Sequence, residues 1–404
     1  MEELSKFLNL EEDVRIINYK HFYDRIEIDL EIEKNLQECP VCRNKTNWIQ
    51  SCRIQKIRDV NFGNKKSYLN LHKKRYKCKF CSKTFLEDNK FLNMYQRMTL
   101  RLVNEILLKL ESERSFTSVA KEYNISLNTI IRLFDKLQYP KTNLENVEVL
   151  AIDEFKGNTG GEKYNCIIAD PKRKIILDIL PKRYKADLQS YFFKIEKSVR
   201  DDIKIFISDM WQTYFDIAKD KFKNSKFVVD KYHWIRQSIW AFENVRKEEQ
   251  KKFSKEYRKY FKRSKSLLTK KFDFLADEQK QQVNIMLYHS EKIRIAHDLK
   301  EEFFKILECV DRNEAKKKLT NWIMYAQSCG LKEFKKCADT FVSWSTGILN
   351  SFDTKYTNGF IEGCNNKIKV LKRNAYGYRN FERFRNRILH MFESKKRYYV
   401  NSTI

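Results

Sequence analysis

The 404-residue sequence predicts a multidomain protein of the α/β class, and three observations support that prediction. Two Cys-x-x-Cys pairs lie near the start, residues 147–235 alternate apolar strand patterns with helical patterns, and residues 236–345 are almost wholly helical and highly charged. A chain of this length suggests two to four domains at ~150 residues each. We expect four of them: residues 1–90, residues 91–145, a domain formed by 146–235 together with 346–404, and an all-helical insertion at 236–345.

The composition excludes several classes of protein. Hydrophobic residues make up 42% of the chain and aromatic residues 14%, which is too apolar for a disordered protein. No run of about 18 apolar residues occurs, so we expect no membrane span. The segment Met1–Lys6 is acidic and polar, unlike a signal peptide, so we expect a cytoplasmic protein whose ten cysteines are reduced.

The positive charge is concentrated in certain segments of the chain. The formal net charge is +27, yet residues 1–38 hold 11 acidic and 5 basic side chains. Residues 39–98 hold 15 basic and 3 acidic side chains, and residues 366–397 hold 11 and 2. An AT-rich codon bias raises the lysine content but does not sort charge in this way. The distribution therefore predicts a polyanionic partner, namely nucleic acid, and a merely solvated basic surface is the alternative.

The first predicted domain contains a strand pair within residues 14–33 and two cysteine pairs 35 residues apart. Thiolates three positions apart can bind one tetrahedral ion, so we predict a zinc ribbon with four Zn²⁺ ligands. Four thiolates leave no position open for water, so this zinc is structural; a redox dithiol is the alternative. Of the remaining residues nearby, Cys52 is predicted to be a core residue and His72 a surface residue. The predicted ligands are Cys39, Cys42, Cys78 and Cys81.

Basic side chains alternate with aromatic ones just before the second cysteine pair. This pattern suits contacts with a DNA backbone, although a solvated basic face is the alternative. The predicted contact residues are Lys73, Lys74, Arg75 and Lys77.

Residues 115–134 have the form of a helix-turn-helix. Ala120 is small where two helices would cross, Asn124 can adopt the left-handed conformation in the turn, and Ser126 can cap the second helix. That helix, starting at Leu127, is predicted to enter the major groove of DNA. Plain helical packing is the alternative. The predicted DNA-contacting residues are Ser126, Asn128, Thr129 and Arg132.

Two apolar strands of the third domain end in acids, at Asp153 and Asp209. The predicted order β-β-β-α-β-α-β is that of a ribonuclease H-like fold, in which the fourth strand lies beside the first. Both carboxylates should then lie close together. A two-metal site needs a third acid, and Glu362, the only acid between Asp353 and Glu382, could supply it. Alternatively, Glu362 is only a favourable charge at a helix N-terminus.

The predicted insertion carries strongly basic segments. Residues 240–270 hold 11 basic and 4 acidic side chains, for which we expect contacts with DNA or a second protomer; a solvated helix face is the alternative. The tryptophans of this half of the chain are predicted to be core residues rather than base-stacking wedges. They are Trp211, Trp234, Trp240, Trp322 and Trp344.

Over nearly its whole length the sequence resembles the DDE transposases of bacterial insertion sequences, most closely the ISL-three family. The resemblance includes the paired Cys-x-x-Cys ribbon and the helix-turn-helix. It also rests on five short motifs: residues 151–155 (AIDEF), 208–211 (SDMW), 229–233 (VDKYH), 358–363 (NGFIEG), and 369–373 (KVLKR) followed by 376–378 (YGY).

The resemblance implies that Asp153, Asp209 and Glu362 form the catalytic triad and bind Mg²⁺, or Mn²⁺, as a two-ion site. His233 matches a D-x-x-H signature and would contact the scissile phosphate, unless it is a packed core histidine. Basic residues after the triad glutamate would contact DNA. These are Lys369, Lys372 and Arg373.

The implied substrate is double-stranded DNA, namely the inverted-repeat ends of a transposon and its target. Water would cut the transposon end, and the resulting 3′-hydroxyl would attack the target. Joining two ends implies a homodimer in the synaptic complex. The resemblance also implies a bacterial protein that is cytoplasmic and associated with the nucleoid. Two alternatives remain: a DNA-binding regulator with an inactive catalytic domain, and a ribonuclease H-type nuclease acting on RNA hybrids or junctions. A ribbon and helix-turn-helix for recognising ends disfavour the second.

Overall fold

A computed structural model describes residues 8, 13–33, 36–87, 97–137, 139, 144–263 and 265–392. The chain divides into two compact units. One comprises Met1–Tyr139, Arg373–Tyr376 and Asn386–Ile404; the other comprises Pro140–Lys372 and Gly377–Arg385. None of the helices in the described ranges combines the length and apolarity needed to cross a membrane.

The first unit begins with a five-stranded sheet and a small two-stranded one. The predicted strand pair at 14–33 is confirmed, and the order in the larger sheet is β1-β2-β6-β5, with β7 pairing β6. The strands are β1 (Val14–His21), β2 (Arg25–Ile32), β3 (Gln37–Glu38), β4 (Lys45–Thr46), β5 (Ile49–Phe62), β6 (Lys65–Lys77) and β7 (Thr84–Leu86).

The long strand β5 lies at the edge of its sheet, and the prediction for Cys52 fails there. Most of β5 from Ile49 to Lys56 is exposed, whereas Ile57 is fully buried against β2 and β6. Cys52 is therefore exposed and not a core residue, because no element in the described part of the chain covers this part of β5. His72, predicted to lie on the surface, is half-buried on β6 opposite Ile54.

Three helices follow, and they confirm the predicted helix-turn-helix in detail. They are α1 (Leu100–Lys109), α2 (Phe116–Tyr123) and α3 (Leu127–Asp135). Asn124 ends α2 in the left-handed conformation, with φ 51° and ψ 49°. Ser126 caps α3 by accepting a hydrogen bond of 3.2 Å from the Thr129 backbone N–H. Ala120 and Ile130 are buried between the helices, and Ile125 is half-buried.

The second unit is built on the predicted strand order. Its five-stranded sheet has the order β10-β9-β8-β11-β12, in which β8, β9 and β10 are antiparallel and β8, β11 and β12 are parallel. The strands are β8 (Val149–Phe155), β9 (Asn165–Asp170), β10 (Ile175–Leu180), β11 (Ile205–Ser208) and β12 (Lys226–Val229). Every residue of β9 is buried, as expected for a strand covered on both faces.

The connections within this sheet hold three helices, where the sequence predicted two. The predicted order has one helix between the third and fourth strands, but the structure has two there, α4 (Lys185–Phe193) and α5 (Lys197–Asp201), followed after β11 by α6 (Gln212–Lys221). The chain turns between α4 and α5 so that Ile195 packs against the core. Arg200 Nε donates to the Ile195 carbonyl at 3.1 Å, which stabilises the turn.

The chain between β12 and residue 350 is helical, as predicted for residues 236–345, and packs around an apolar core to which Val229 of β12 also contributes. Its helices are α7 (Lys231–Gln250), α8 (Lys255–Arg263), α9 (Lys265–Thr269), α10 (Asp277–Tyr288), α11 (Glu291–Leu307), α12 (Arg312–Ser328) and α13 (Lys332–Asn350), with a 3-10 turn at Phe272–Phe274. Trp234 and Trp322 are buried as predicted, but Trp240 is 50% exposed, so its prediction as a core residue is wrong. Trp211 and Trp344 are half-buried.

Two further helices, α14 (Gly359–Asn374) and α15 (Phe381–Phe392), close the described chain. They carry much of the strongly basic segment 366–397, of which residues 393–397 lie outside the described part. The expected domain boundaries at 235/236 and 345/346 fall inside α7 and α13, and they stay predictions. The expected boundary at 90/91 lies outside the described residues.

Candidate active site and metal centre

Asp153 and Asp209 lie on neighbouring parallel strands of the second unit. Asp153 is in β8 and Asp209 directly follows β11; the register pairs Ile207 with Ala151, two positions earlier on each strand. Burial raises the pKa of Asp153 to about 7, and the nearby charge of Asp209 adds to this. Burial likewise raises the pKa of Asp209 to about 6. The structure thus brings two desolvated carboxyl groups together.

His233 lies beside both aspartates, on the first turn of α7. Its Nδ1 is 3.2 Å from Oδ2 of Asp230, and its side chain is 27% exposed. Burial lowers the pKa of His233, but the hydrogen bond to Asp230 and the charges of Asp209 and Asp153 outweigh it, so the pKa is raised overall. His233 is therefore half-buried against the acids rather than packed in an apolar core.

Glu362 is in a different position from the aspartates. It lies in the first turn of α14 and is exposed, with its backbone N–H donating to the Asn358 carbonyl at 2.9 Å. Asp230 Oδ1 accepts a 3.0 Å hydrogen bond from the Asn358 N–H, and this bond ties the start of α14 to the end of β12. Among the described residues, the three acids do not meet as a group whose ligand atoms all lie within 4.8 Å of one another.

Asn365 is a site residue that the sequence reasoning missed. It is 7% exposed, and its Nδ2 donates to Asp153 Oδ2 at 3.1 Å and to the Glu154 carbonyl at 3.5 Å. It lies three positions after Glu362, so the two side chains are neighbours along α14. The available signal was an amide within the buried stripe of an otherwise basic helix, between Ile361 and Ile368.

Arg183, after β10, is a second residue that was missed. Its guanidinium pairs with Glu154 and lies over the rings of Tyr164 and Trp211, at 4.5 and 4.7 Å from their centroids. It also counteracts part of the rise in the pKa of Asp209. A guanidinium held by these contacts therefore lies near the carboxyl group of Asp209. We call Asp153 and Asp209 the acidic cluster. No sequence motif indicated Arg183.

The acidic cluster has the chemistry of a divalent cation site. Asp209 Oδ1 is buried and has no hydrogen-bond partner among the residues that the structure describes, which is a costly arrangement for a carboxylate oxygen. Hard oxygen ligands from carboxylates suit Mg²⁺ or Mn²⁺. A cation bound by Asp153 and Asp209 would satisfy that oxygen and offset the cost of burying two negative charges.

The four predicted zinc ligands converge in the first unit. Their sulfur atoms lie within 4.8 Å of one another, with Cys39 Sγ and Cys81 Sγ 3.5 Å apart and Cys42 Sγ and Cys78 Sγ 3.4 Å apart. A tetrahedral ion with Zn–S bonds of about 2.3 Å requires sulfur separations of roughly 3.8 Å. A hydrogen bond from the backbone N–H of Asn44 lowers the pKa of Cys42 to about 6, which favours the thiolate that zinc binds.

Each cysteine pair lies in a backbone turn of the same type, and the two turns direct their thiols to one point. The Cys39 N–H donates to the Asn44 carbonyl at 3.0 Å, and the Cys78 N–H donates to the Lys83 carbonyl at 2.9 Å. In each turn a residue with positive φ follows the second cysteine, Arg43 in one and Ser82 in the other.

The predicted DNA-contacting residues of the first unit differ in exposure: some are exposed to solvent and others are half-buried or bonded within the protein. On α3, Asn128 and Arg132 are exposed, whereas Thr129 is half-buried and accepts a hydrogen bond from Arg132 at 3.3 Å. On β6, Arg75 is exposed. Lys74 Nζ donates to the Ile32 carbonyl at 2.9 Å, so this lysine is engaged within its own domain.

The remaining predicted DNA-contacting residues also include both half-buried and exposed side chains. Lys73 and Lys77 are half-buried, and Lys77 lies over Trp48, 5.1 Å from its ring centroid. Lys372 donates to the Lys156 carbonyl at 2.8 Å. Lys369, which donates to Asn366 Oδ1 at 3.3 Å, and Arg373 are exposed.

Family comparisons agree along most of the chain. A family model described as "Transposase", of the ISL3 group, matches residues 150–388. A model described as the zinc-finger of transposases IS204, IS1001, IS1096 and IS1165 matches residues 36–81. The helix-turn-helix domain of transposase family ISL3 matches residues 87–138.

Two individual relatives align with this chain over very different lengths. The transposase for insertion sequence element IS1001 of Bordetella parapertussis is 24% identical over 353 residues, covering 86% of each chain. A protein of Lactococcus lactis subsp. lactis named ATP-dependent protease is 35% identical over 107 residues, covering 26% of this chain and 33% of that one. This chain contains no G-x-x-x-x-G-K-[ST] nucleotide loop, so the second name does not transfer.

Proposed function

The chain belongs to the ISL3 family of transposases, and from this premise we propose that it cleaves transposon-end DNA and joins it to a target in a Mg²⁺-dependent reaction. The observation that carries the proposal is the pairing of Asp153 and Asp209 on adjacent parallel strands. Both carboxyl groups are desolvated, and Asp209 Oδ1 has no partner. Such a pair is suited to hold a divalent cation where a phosphodiester reacts.

We propose that the catalytic domain is ribonuclease H-like. Its support is the strand order β10-β9-β8-β11-β12, in which three antiparallel strands are followed by two parallel ones. The helices between β12 and residue 350, which pack around an apolar core that includes Val229 of β12, then form an insertion into that domain. Residues 1–90 and 91–145 remain our proposed ribbon and helix-turn-helix domains.

In this proposal Asp153, Asp209 and Glu362 bind the metal. When bound, Mg²⁺ would polarise the scissile phosphate and stabilise the negative charge on the attacking and leaving oxygens. Asn365 fixes the carboxylate of Asp153 by its hydrogen bond to Oδ2. Glu362 lies one turn before Asn365 on α14, so its exposed side chain can extend to the same acids.

His233 and Arg183 supply positive charge near the acids. Oδ2 of Asp230 accepts from Nδ1 of His233, and the raised pKa of His233 favours the protonated ring, whose Nε2–H can also donate to a phosphate oxygen. Arg183 is held by Glu154 and by the two rings beneath it, so its guanidinium needs little reorganisation to meet the developing charge.

End recognition belongs to the zinc ribbon and the helix-turn-helix in this proposal. Exposed Asn128 and Arg132 would read base edges in the major groove, and Arg75 would contact phosphates. Lys369 and Arg373 would hold DNA close to the acids. Two ends must be joined in one reaction, so we propose a homodimer in the synaptic complex.

The test uses labelled duplex DNA that carries the element's own terminal repeats, incubated with Mg²⁺ or with EDTA. We expect cuts that leave a 3′-hydroxyl at the transposon end with Mg²⁺ only, and their loss in Asp153→Ala and Asp209→Ala without loss of binding. Asp277→Ala removes a carboxylate that is 97% exposed on α10 and should cleave like the wild type. Cleavage that survives either active-site substitution would disprove the assignment.

A second candidate function is a DNA-binding regulator with an inactive catalytic domain. The observation that favours it is the exposure of Glu362, which does not converge with the two aspartates within 4.8 Å in the described structure. Tight, specific binding of the ends without any cut in Mg²⁺ or Mn²⁺ would support the regulator.

A further inference from the structure

Three side chains form a stripe along the exposed face of α7, starting beside His233. Tyr232 is 48% exposed and Trp240 is 50% exposed, and between them Arg236 is exposed with its guanidinium carbon 4.0 Å from the centroid of the Trp240 ring. The three lie four residues apart, so they follow one face of the helix. We define these three residues as the α7 stripe.

Large exposed aromatic side chains next to a reactive centre require an explanation. Tyr232 directly precedes His233, and the two rings are in edge-to-face contact at 5.8 Å between centroids. The face of α7 that carries Trp234, Phe242 and Val245 is already buried in the helical core. The α7 stripe therefore adds nothing to that core.

The charge around the stripe is favourable for a polyanion. No acidic residue occurs in α7 before Glu243, which is itself buried and paired with Arg246. Lys231 and Arg236 are the basic residues of this part of the helix. Aromatic faces combined with positive charge are the features by which proteins hold single-stranded nucleic acid without sequence preference.

The length of the stripe fits a short run of nucleotides. Eight residues of α-helix span about 12 Å, and bases stacked as in a duplex are about 3.4 Å apart, so the stripe covers roughly three to four bases. A DNA strand leaving the acids past His233 would reach Tyr232 first and Trp240 last.

We propose that the α7 stripe binds unpaired nucleotides of DNA next to the scissile phosphate, with bases stacked on Tyr232 and Trp240 and a phosphate on Arg236. This deepens the proposed function and rests on it. The stripe holds one strand away from its complement, which exposes the phosphodiester to the acids. The ligand is single-stranded DNA of any sequence, because every base has a face that can stack.

The test compares a fluorescein-labelled 12-nucleotide oligo(dT) with a 12-base-pair duplex of dT and dA, using the full chain with Asp209→Ala so that no cleavage occurs. Stacking on one aromatic ring accounts for about 5- to 150-fold in affinity. We expect Trp240→Ala to weaken oligo(dT) binding at least about five-fold and duplex binding less than two-fold, and Tyr232→Ala to do the same. Trp240→Phe should restore most of the loss.

The matched control is Tyr288→Ala, since Tyr288 is 88% exposed at the end of α10 in the same unit and should affect neither probe. A 2-aminopurine placed in oligo(dT) should be quenched by the wild-type stripe and less so by Trp240→Ala. If Trp240→Ala binds both probes like the parent chain, the inference is wrong. It is also wrong if Trp240→Ala alters only the association of the chain with itself. Neither outcome contradicts the proposed cleavage at Asp153 and Asp209. Selective loss of oligo(dT) binding, together with a wild-type chain that does not cut the element's ends in Mg²⁺, would uphold the stripe and reject the proposed catalysis.

Discussion

The side-chain amide of Asn365 donates a hydrogen bond of 3.1 Å to Oδ2 of Asp153, joining positions 212 residues apart in the sequence. This bond links α14 to β8 and fixes the orientation of one carboxylate of the acidic pair. The other oxygen of Asp153 accepts from the Glu154 N–H at 2.7 Å. Asp153 thus enters any reaction with its carboxylate already oriented, whereas Asp209 keeps one oxygen free of protein partners.

We therefore predict that Asn365→Ala slows Mg²⁺-dependent cleavage about 10- to 100-fold, the usual loss when a partner of a metal ligand is removed. The defect should shrink as Mg²⁺ is raised, because a misoriented ligand weakens metal binding. A purely structural role would not alter the Mg²⁺ dependence. Asn366→Ala, on the exposed side of the same helix, is the control and should follow the wild-type Mg²⁺ curve.

The sequence was sufficient to predict that Asp153 and Asp209 lie on neighbouring strands, but not the position of Glu362 or the residues that surround the pair. The succession of strands and helices predicts the strand order. That order places Asp153 and Asp209, each near the end of an apolar strand pattern, close together. Asn124 and Ser126 were predictable for a similar reason, since a turn conformation and a helix cap depend on local chemistry. Asn365, in contrast, is defined by a contact across 212 positions, which no local pattern encodes.

Exposure was predicted less well than topology. Cys52 and Trp240 were predicted to lie in the core because their residue types are usually buried, and both are exposed. The cause in each case is how far the neighbouring elements extend. None of the described elements covers the outer part of β5, and the helical core lies on the opposite side of α7 from Trp240. Apolar residue type predicts burial only where another element is present to cover it.

The cysteine cluster yields a prediction about metal content. The wild-type chain should bind one zinc ion, and Cys42→Ser should lose it together with the fold of the ribbon, because metal binding supplies the folding free energy of such small modules. Zinc content by elemental mass spectrometry and a thermal melt measure the two effects. Cys52→Ser, exposed on β5 and outside the cluster, should keep both zinc and melting temperature. Full zinc in Cys42→Ser would contradict the four-thiolate site.

Gly347 allows a close approach between α13 and β12. A Cβ at this position would lie 2.7 Å from Val229 Cγ2 and 3.1 Å from Phe227 Cδ1. Gly347→Ala should therefore lower the free energy of unfolding by about 1–3 kcal/mol, since the strand must move to admit the methyl group. Gly363→Ala, where a Cβ would meet nothing within 4 Å, should instead be neutral or stabilising by up to about 1 kcal/mol. Denaturant melts of the pair measure the difference.

His390 should make the stability of the first unit depend on pH. Its Nδ1 accepts from Tyr139 Oη at 2.5 Å and its Nε2 donates to the Leu107 carbonyl at 2.8 Å, an arrangement that suits the neutral ring. Burial lowers the pKa of His390 to about 4 from an ordinary value near 6.5. The unfolded chain then binds a proton first as pH falls, so stability should decrease between pH 6.5 and pH 4, by up to about 3 kcal/mol.

The measurement is the free energy of unfolding against pH for the wild type and for His390→Gln. The difference between the two curves isolates this residue from other titrating groups. We expect the wild-type curve to fall more steeply below pH 6.5 and the two slopes to agree above pH 7. Parallel curves over the whole range would mean that His390 does not titrate as its burial implies.

The exposed face of α3 yields the last prediction, which separates base contacts from backbone contacts. Arg132 and Asn128 lie one turn apart on this face, while Ser126 has its hydroxyl engaged at the helix N-terminus. If Arg132 reads a base edge, Arg132→Ala should cost about 1–3 kcal/mol in binding of the element's ends and much less on unrelated DNA. If it contacts only phosphate, binding of both DNAs should weaken equally, and the slope of log affinity against log salt concentration should fall by about one.

Lys121→Ala, exposed on α2, is the control that removes one positive charge, and it should weaken the binding of both DNAs slightly. Ser126→Ala should lower stability by about 1 kcal/mol through the lost cap and affect end binding only as far as α3 frays. Gel-shift titrations with specific and unrelated duplexes at two salt concentrations distinguish these cases, and equal losses on both DNAs for Arg132→Ala would reject α3 as the helix that reads sequence through this residue.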